Sequence, residues 1–107
     1  MELRDYLDPA GRDPFAEWLA ALDSMARAKV AAHLVRMKNG NFSNVKGVQQ
    51  GVFEKKIDWG PGYRVYFGKD GDDLIILLGG GAKARQDEDI EDAQDRWRDY
   101  KQRRKRK

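Results

Sequence analysis

The stretch from Val52 to Gly81, VFEKKIDWGPGYRVYFGKDGDDLIILLGGG, constrains this chain more than any other. It reads as three strands joined by two tight turns. Along Val52–Trp59, Phe53, Ile57 and Trp59 share one face, interrupted by Lys55, while Glu54, Lys56 and Asp58 take the other. Gly60-Pro61-Gly62 follows as a short connection, because glycine allows positive φ and proline lacks the N–H that a ladder needs. Tyr63–Phe67 is β-branched and aromatic, with Arg64 and Tyr66 on the face opposite Tyr63, Val65 and Phe67. Asp70-Gly71 marks the second hairpin turn. Leu74–Leu78 is apolar on both faces, which predicts the central strand, and Gly79-Gly80-Gly81 is expected to end it.

The rest of the chain reads as cover for this sheet. Met1–Leu7 is expected as an edge strand, with Leu3 and Tyr6 packing and Arg4 and Asp5 facing water. Asp13 is a good N-cap, Pro14 suits the first helical position, and Phe15, Trp18, Leu19 and Leu22 form one helical stripe. Asp23-Ser24 separates this helix from a second over Met25–Lys38, which Asn39-Gly40 ends. The two form an αα-hairpin laid on one side of the sheet. Asn41–Gly51 reads as a loop or short irregular strand. Asp87-Glu88-Asp89 opens a last helix with acids at its positive end, and Ile90, Ala93, Trp97 and Tyr100 give it a packing stripe. The expected order is β-α-α-β-β-β-α, an α+β domain with helices segregated from an antiparallel sheet. It spans 1–100 as a single domain, followed by a basic tail at 101–107.

Charge sharpens that division. The net charge of +3 conceals an asymmetry: the last seven residues hold six of the 21 basic residues and no acid, leaving 15 basic against 18 acidic elsewhere. A basic terminus points to nucleic acid or an acidic partner, or is simply a solvated, frayed end. The chain has no cysteine, which excludes disulfides and thiolate metal sites. It opens without an apolar signal region and contains no membrane-length apolar run, so a cytoplasmic protein is expected.

The run IDWGPGYRVYF, the hydrophobic strand after it and the GGGAKARQ connection resemble the RelE/ParE superfamily of toxins. More closely, they resemble its HigB-like, phage-related addiction module killer branch. The helical N-terminal half and the GNFSNVKGV segment fit as well, so the resemblance covers nearly the whole chain outside the tail. It implies a RelE-like fold and the toxin of a type II toxin–antitoxin system. Its partner would be a cognate antitoxin, of helix-turn-helix type and encoded nearby, through which alone it would meet operator DNA. RelE-like and HigB-like members cut mRNA on the ribosome without a metal or cofactor and so inhibit translation. ParE-like members share the fold but inhibit DNA gyrase without catalysis. A module that only binds its antitoxin is a third possibility.

Metal-independent RNA cleavage needs a base for the 2′-hydroxyl, cations for the developing phosphorane charge, and an acid for the leaving 5′-oxygen. The only histidine, His33, is mid-helix with no constellation around it and reads as structural. The cations are better placed. Lys56 and Arg64 lie on strands joined by a tight turn, and Lys83 and Arg85 follow the next strand. The resemblance implies that Arg64 and Lys83 stabilise phosphate charge and that Lys56 orients the scissile phosphate or assists proton transfer. Glu54, on the face of Lys56, is a second candidate base. Lys46, Lys55, Arg85 and Tyr66 are candidates for holding RNA, Tyr66 by stacking on a base. The plainer alternatives are a surface ion pair of Arg64 with Glu54 or Asp58, and a Tyr66 that merely covers the sheet. Unlike most relatives, the body is slightly acidic, and Gln86–Ile90 offers glutamine, aspartate and glutamate where others place tyrosine or an aspartate–histidine pair.

Overall fold

The computed structural model describes residues 1–105. Five strands, β1 (Glu2–Asp5), β2 (Val45–Gly47), β3 (Val52–Ile57), β4 (Tyr63–Asp70) and β5 (Leu74–Ala82), form one sheet in the order β1-β5-β4-β3-β2. Helices α1 (Pro14–Ala21) and α2 (Ser24–Lys38) lie between β1 and β2, and α3 (Gln86–Lys105) follows β5 through a 3-10 turn at Lys83–Arg85. The domain is α+β, but the sheet is mixed. β2 to β5 form an antiparallel meander, and β1 joins β5 in parallel. β5 is an interior strand, as its two apolar faces require, but β4 is the middle one, because β3 and β2 lie beyond it. The polar segment before β3 forms the short strand β2, one of its two expected readings, and adds an edge to the expected order.

Local chemistry accounts for the elements. Asp13 and Asp23 cap α1 and α2 by accepting from the Ala16 and Ala26 amides, at 2.9 and 2.8 Å. Gly60 and Gly62 adopt φ of 59° and 81°, the left-handed conformations that let β3 turn into β4 within five residues. Alternation then sorts the side chains to two cores. On one face Ile57, Val65, Phe67, Ile75 and Leu77 pack against Phe15, Val30 and Met37 of the αα-hairpin. On the other, Val52, Tyr66, Ile76 and Leu78 meet Ala93 and Trp97 of α3. The αα-hairpin therefore covers one face, as expected, and α3 the other.

The glycine run does not end β5. The strand continues through Gly79-Gly80-Gly81 to Ala82. Its missing side chains are contact surfaces: a Cβ at Gly80 would overlap the Trp18 indole, and one at Gly81 would overlap the Asp89 carboxylate. The expected tail is likewise helical as far as Lys105, with Arg103, Arg104 and Lys105 in the last turn of α3, where cations suit the helix dipole. The remaining two tail residues, 106 and 107, lie outside the described part. Among the described residues, no helix is long and apolar enough to cross a membrane.

Candidate functional site

The α3 face of the sheet carries charge where β3, β4 and the end of β5 meet. In the hairpin register Lys56 lies opposite Arg64, Glu54 opposite Tyr66, and Lys46 of β2 opposite Glu54. Arg64 in turn pairs with Gly81 of β5. Period-two alternation thus puts Lys46, Glu54, Lys56, Arg64 and Tyr66 on one surface.

Two adjoining depressions open there. One of about 330 Å³ is lined by Lys56, Asp58, Trp59, the Gly60–Gly62 loop, Arg64 and Lys83. The other, about 270 Å³, is lined by Asn44, Val45, Lys46, Glu54, Lys56 and Arg64. Lys56 and Arg64 border both, so they mark the centre of the site. Arg85 stands to one side, beside Lys83 in a third hollow, and is held by Glu88 at 2.8 Å.

The buried centre is unusual. The Glu54 side chain is 2% exposed and that of Arg64 7%, and they approach only to 3.6 Å between Arg64 Nε and Glu54 Oε1. That distance is an ion pair without a hydrogen bond. Among the described residues Arg64 Nε and Nη1 have no hydrogen-bond partner, and neither does the Tyr66 hydroxyl. Unpartnered buried donors are costly, and a buried guanidinium bordering a cleft is a ready receptor for an anion. Glu54 is better satisfied: Gln86 Nε2 donates to its Oε2 at 2.9 Å, and Lys46 Nζ stands 3.8 Å from Oε1. Asp58 draws Lys56 Nζ to 3.5 Å at the cleft mouth, where the lysine is half exposed. Asp89 lies against Gly81, and burial, opposed by Arg85, raises its carboxyl pKa above the usual range.

Two expected RNA-holding residues lie elsewhere. Lys55 points to the opposite, αα-hairpin face, is 2% exposed, and donates from Nζ to the Ser43 carbonyl at 2.6 Å. Burial, then Arg36, lowers its pKa. It belongs to that core and not to the cleft. Tyr66 is on the expected face but 1% exposed beneath α3, with its phenol pKa raised chiefly by burial, so it cannot stack on a base. His33 lies on α2 near Lys55, with its pKa lowered by burial first and then by Lys55, Arg36 and Lys29, in keeping with a structural role. Two further residues bear on the site. Gln86, which in the sequence stands out only within the Gln86–Ile90 segment, bonds Glu54. Trp59, in the sequence a member of an apolar face, lines the cleft of Lys56, Arg64 and Lys83.

A larger cavity, about 470 Å³, is at the β1 edge, where Arg4, Tyr6, Tyr100, Arg103 and Arg104 converge. Its charges are already matched. Arg4 pairs with Glu2, Arg103 with Asp99 and Arg104 with Asp70. Its two tyrosines donate to Asp99 and Asp70 at 2.6 Å, and burial and those bonds push both phenols up to about 12. It lacks the buried guanidinium with unsatisfied N–H donors that distinguishes the Arg64 cleft. Among the described residues, no group of three or more His, Cys, Asp or Glu is placed to hold a metal ion.

Fold and site define an α+β domain with a cationic cleft on the α3 face of a five-stranded mixed sheet. The chain belongs to the same family as an uncharacterized protein of Haemophilus influenzae (strain ATCC 51907 / DSM 11121 / KW20 / Rd), to which it is 46% identical over 80 residues. That match covers 74% of this chain and 81% of the relative. No family model matches the sequence.

Proposed function

We propose that this protein is the toxin of a type II toxin–antitoxin pair, with a RelE-like arrangement of its α+β fold, and that it inhibits translation by cleaving mRNA on the ribosome. The observation that carries this reading is the convergence of Lys56, Lys83 and the buried, incompletely bonded Arg64 on one cleft. Four cations scattered over the surface would not support phosphate chemistry. Three on one concavity do. The resemblance of Gly60–Phe67 and of the Lys83–Gln86 connection to RelE/ParE toxins supports it independently.

In this mechanism a 2′-hydroxyl attacks its own phosphate, forming the 2′-O–P bond as the P–O5′ bond breaks. Lys56, half exposed at the cleft mouth, takes the 2′ proton, while the buried Glu54, held by Gln86, positions Arg64. Arg64 and Lys83 stabilise the charge on the non-bridging oxygens, which is where fixed donors act most strongly. Lys56 also orients the scissile phosphate. Lys46 and Arg85 flank the cleft along the path of the strand. An antitoxin would silence the protein by covering this cleft or the first two helices.

The test is primer extension on cellular mRNA after brief induction, comparing wild type with Arg64→Ala. Discrete, translation-dependent cuts that vanish in the variant are expected, with activity falling at least a hundredfold, the scale for losing one transition-state donor. Growth arrest with intact mRNA would refute the endonuclease reading and direct the search to gyrase. No arrest at all would leave a module that only binds its antitoxin.

A further inference from the structure

We propose that Trp59 forms a base-stacking subsite beside the Arg64 phosphate position, so that the cleft takes an unpaired nucleotide as a unit and not a phosphate alone. This rests on the RNA reading above and adds to it a selection for single-stranded nucleic acid. Trp59 lines the same cleft as Lys56, Arg64 and Lys83 and is partly exposed, with its side chain also packed against the αα-hairpin core.

The ring is anchored without any ligand. It stacks on Tyr63 with centroids 6.4 Å apart and planes at 25°, and Tyr63 meets Trp18 edge-on at 6.1 Å. This aromatic column runs from the αα-hairpin core to the cleft rim. The backbone is tied down as well. Trp59 N–H donates to Ile57 at 3.0 Å, Gly62 N–H donates to Trp59 at 3.1 Å, and Lys83 N–H donates to Gly62 at 3.2 Å. One loop therefore holds the indole and the start of the Lys83 turn in a fixed relation. A receptor for phosphate alone needs only the cations. A rigid indole next to them supplies the π-face on which an unstacked base lies, the combination that single-stranded sites use. Base pairing would withhold that face. Every base has one, so the subsite adds affinity with little sequence preference.

The experiment is fluorescence anisotropy at fixed, moderate salt with a labelled 2′-O-methyl RNA of mixed sequence, which cannot be cleaved, and an abasic backbone of equal length. Wild type is expected to bind the base-bearing strand about five- to hundredfold tighter, the range that base–aromatic stacking spans. Trp59→Ala should abolish that preference while leaving affinity for the abasic strand unchanged, and Trp59→Phe should keep most of it. Trp59→Leu, which keeps apolar bulk against Tyr63 but no π-face, carries the test if the alanine variant does not fold. Unchanged binding of the base-bearing strand in Trp59→Leu, alongside a loss in Arg64→Ala, would overturn the subsite and leave the RNA reading intact. A wild type that binds neither strand would overturn both.

Discussion

Asp5 makes the pH dependence of stability a sharp test of the packing at the β1 edge. Burial first, and then the neighbouring carboxylate of Asp13, the N-cap of α1, raises its carboxyl pKa from 3.8 to about 7. In the native state Asp5 therefore keeps a proton that the unfolded chain has already lost at neutral pH. The native form binds more protons, so stability falls as pH rises from about 4 and levels off above about 7. Three decades of proton affinity correspond to about 4 kcal/mol. Asp5 is only partly buried, and solvent screening reduces this to about 1–2 kcal/mol. Asp5→Asn keeps the shape and a hydrogen-bond donor towards Asp13 while removing the charge. Urea denaturation at pH 5 and pH 8 reads the effect. The variant should lie closer to wild type at pH 5 and exceed it by about 1–2 kcal/mol at pH 8. Equal stability differences at both pH values would refute the shared proton, and a variant less stable at pH 8 would show that the Asp5 charge is stabilising.

Three further outcomes test the architecture. Gly80→Ala should lower stability by about 1–3 kcal/mol in urea unfolding, because the added Cβ meets the Trp18 indole within a packed core. Gly47→Ala on β2, where a Cβ meets nothing within 4 Å, should change it by no more than about 0.5 kcal/mol. Gln86→Leu should cost about 1–3 kcal/mol by thermal or urea unfolding, since it strips the buried Glu54 carboxylate of its 2.9 Å hydrogen bond. Wild-type stability in that variant would mean that water or Lys46 already satisfies Glu54.

The sequence by itself determined the elements and their faces. Alternation in Val52–Ile57 and Tyr63–Phe67 separated the core residues Ile57, Val65 and Phe67 from Lys56 and Arg64. The helical stripes of α1 and α3 named Phe15, Trp18, Ala93 and Trp97, and Asp13 and Gly60-Pro61-Gly62 marked a start and a turn. These features are local: a cap, a turn or a period needs only its neighbours along the chain. They also brought Lys56, Arg64 and Lys83 to one edge, because a tight turn and a following strand leave them little choice. Tertiary structure decided what covers each face. A period-two pattern says that a strand has two sides but not what lies on them. Hence β1 pairs parallel to β5, and Asp5 is half-buried beside Asp13 instead of facing water freely. The glycines of β5 seat Trp18 and Asp89 instead of ending the strand. Lys55 and Tyr66 look like surface candidates beside Lys56 and Arg64, yet a loop carbonyl and a helix that returns over the sheet bury them. Gln86 reaches Glu54 across 32 residues of chain. Partners that distant in sequence carry no periodic signature, and only the packed fold brings them together.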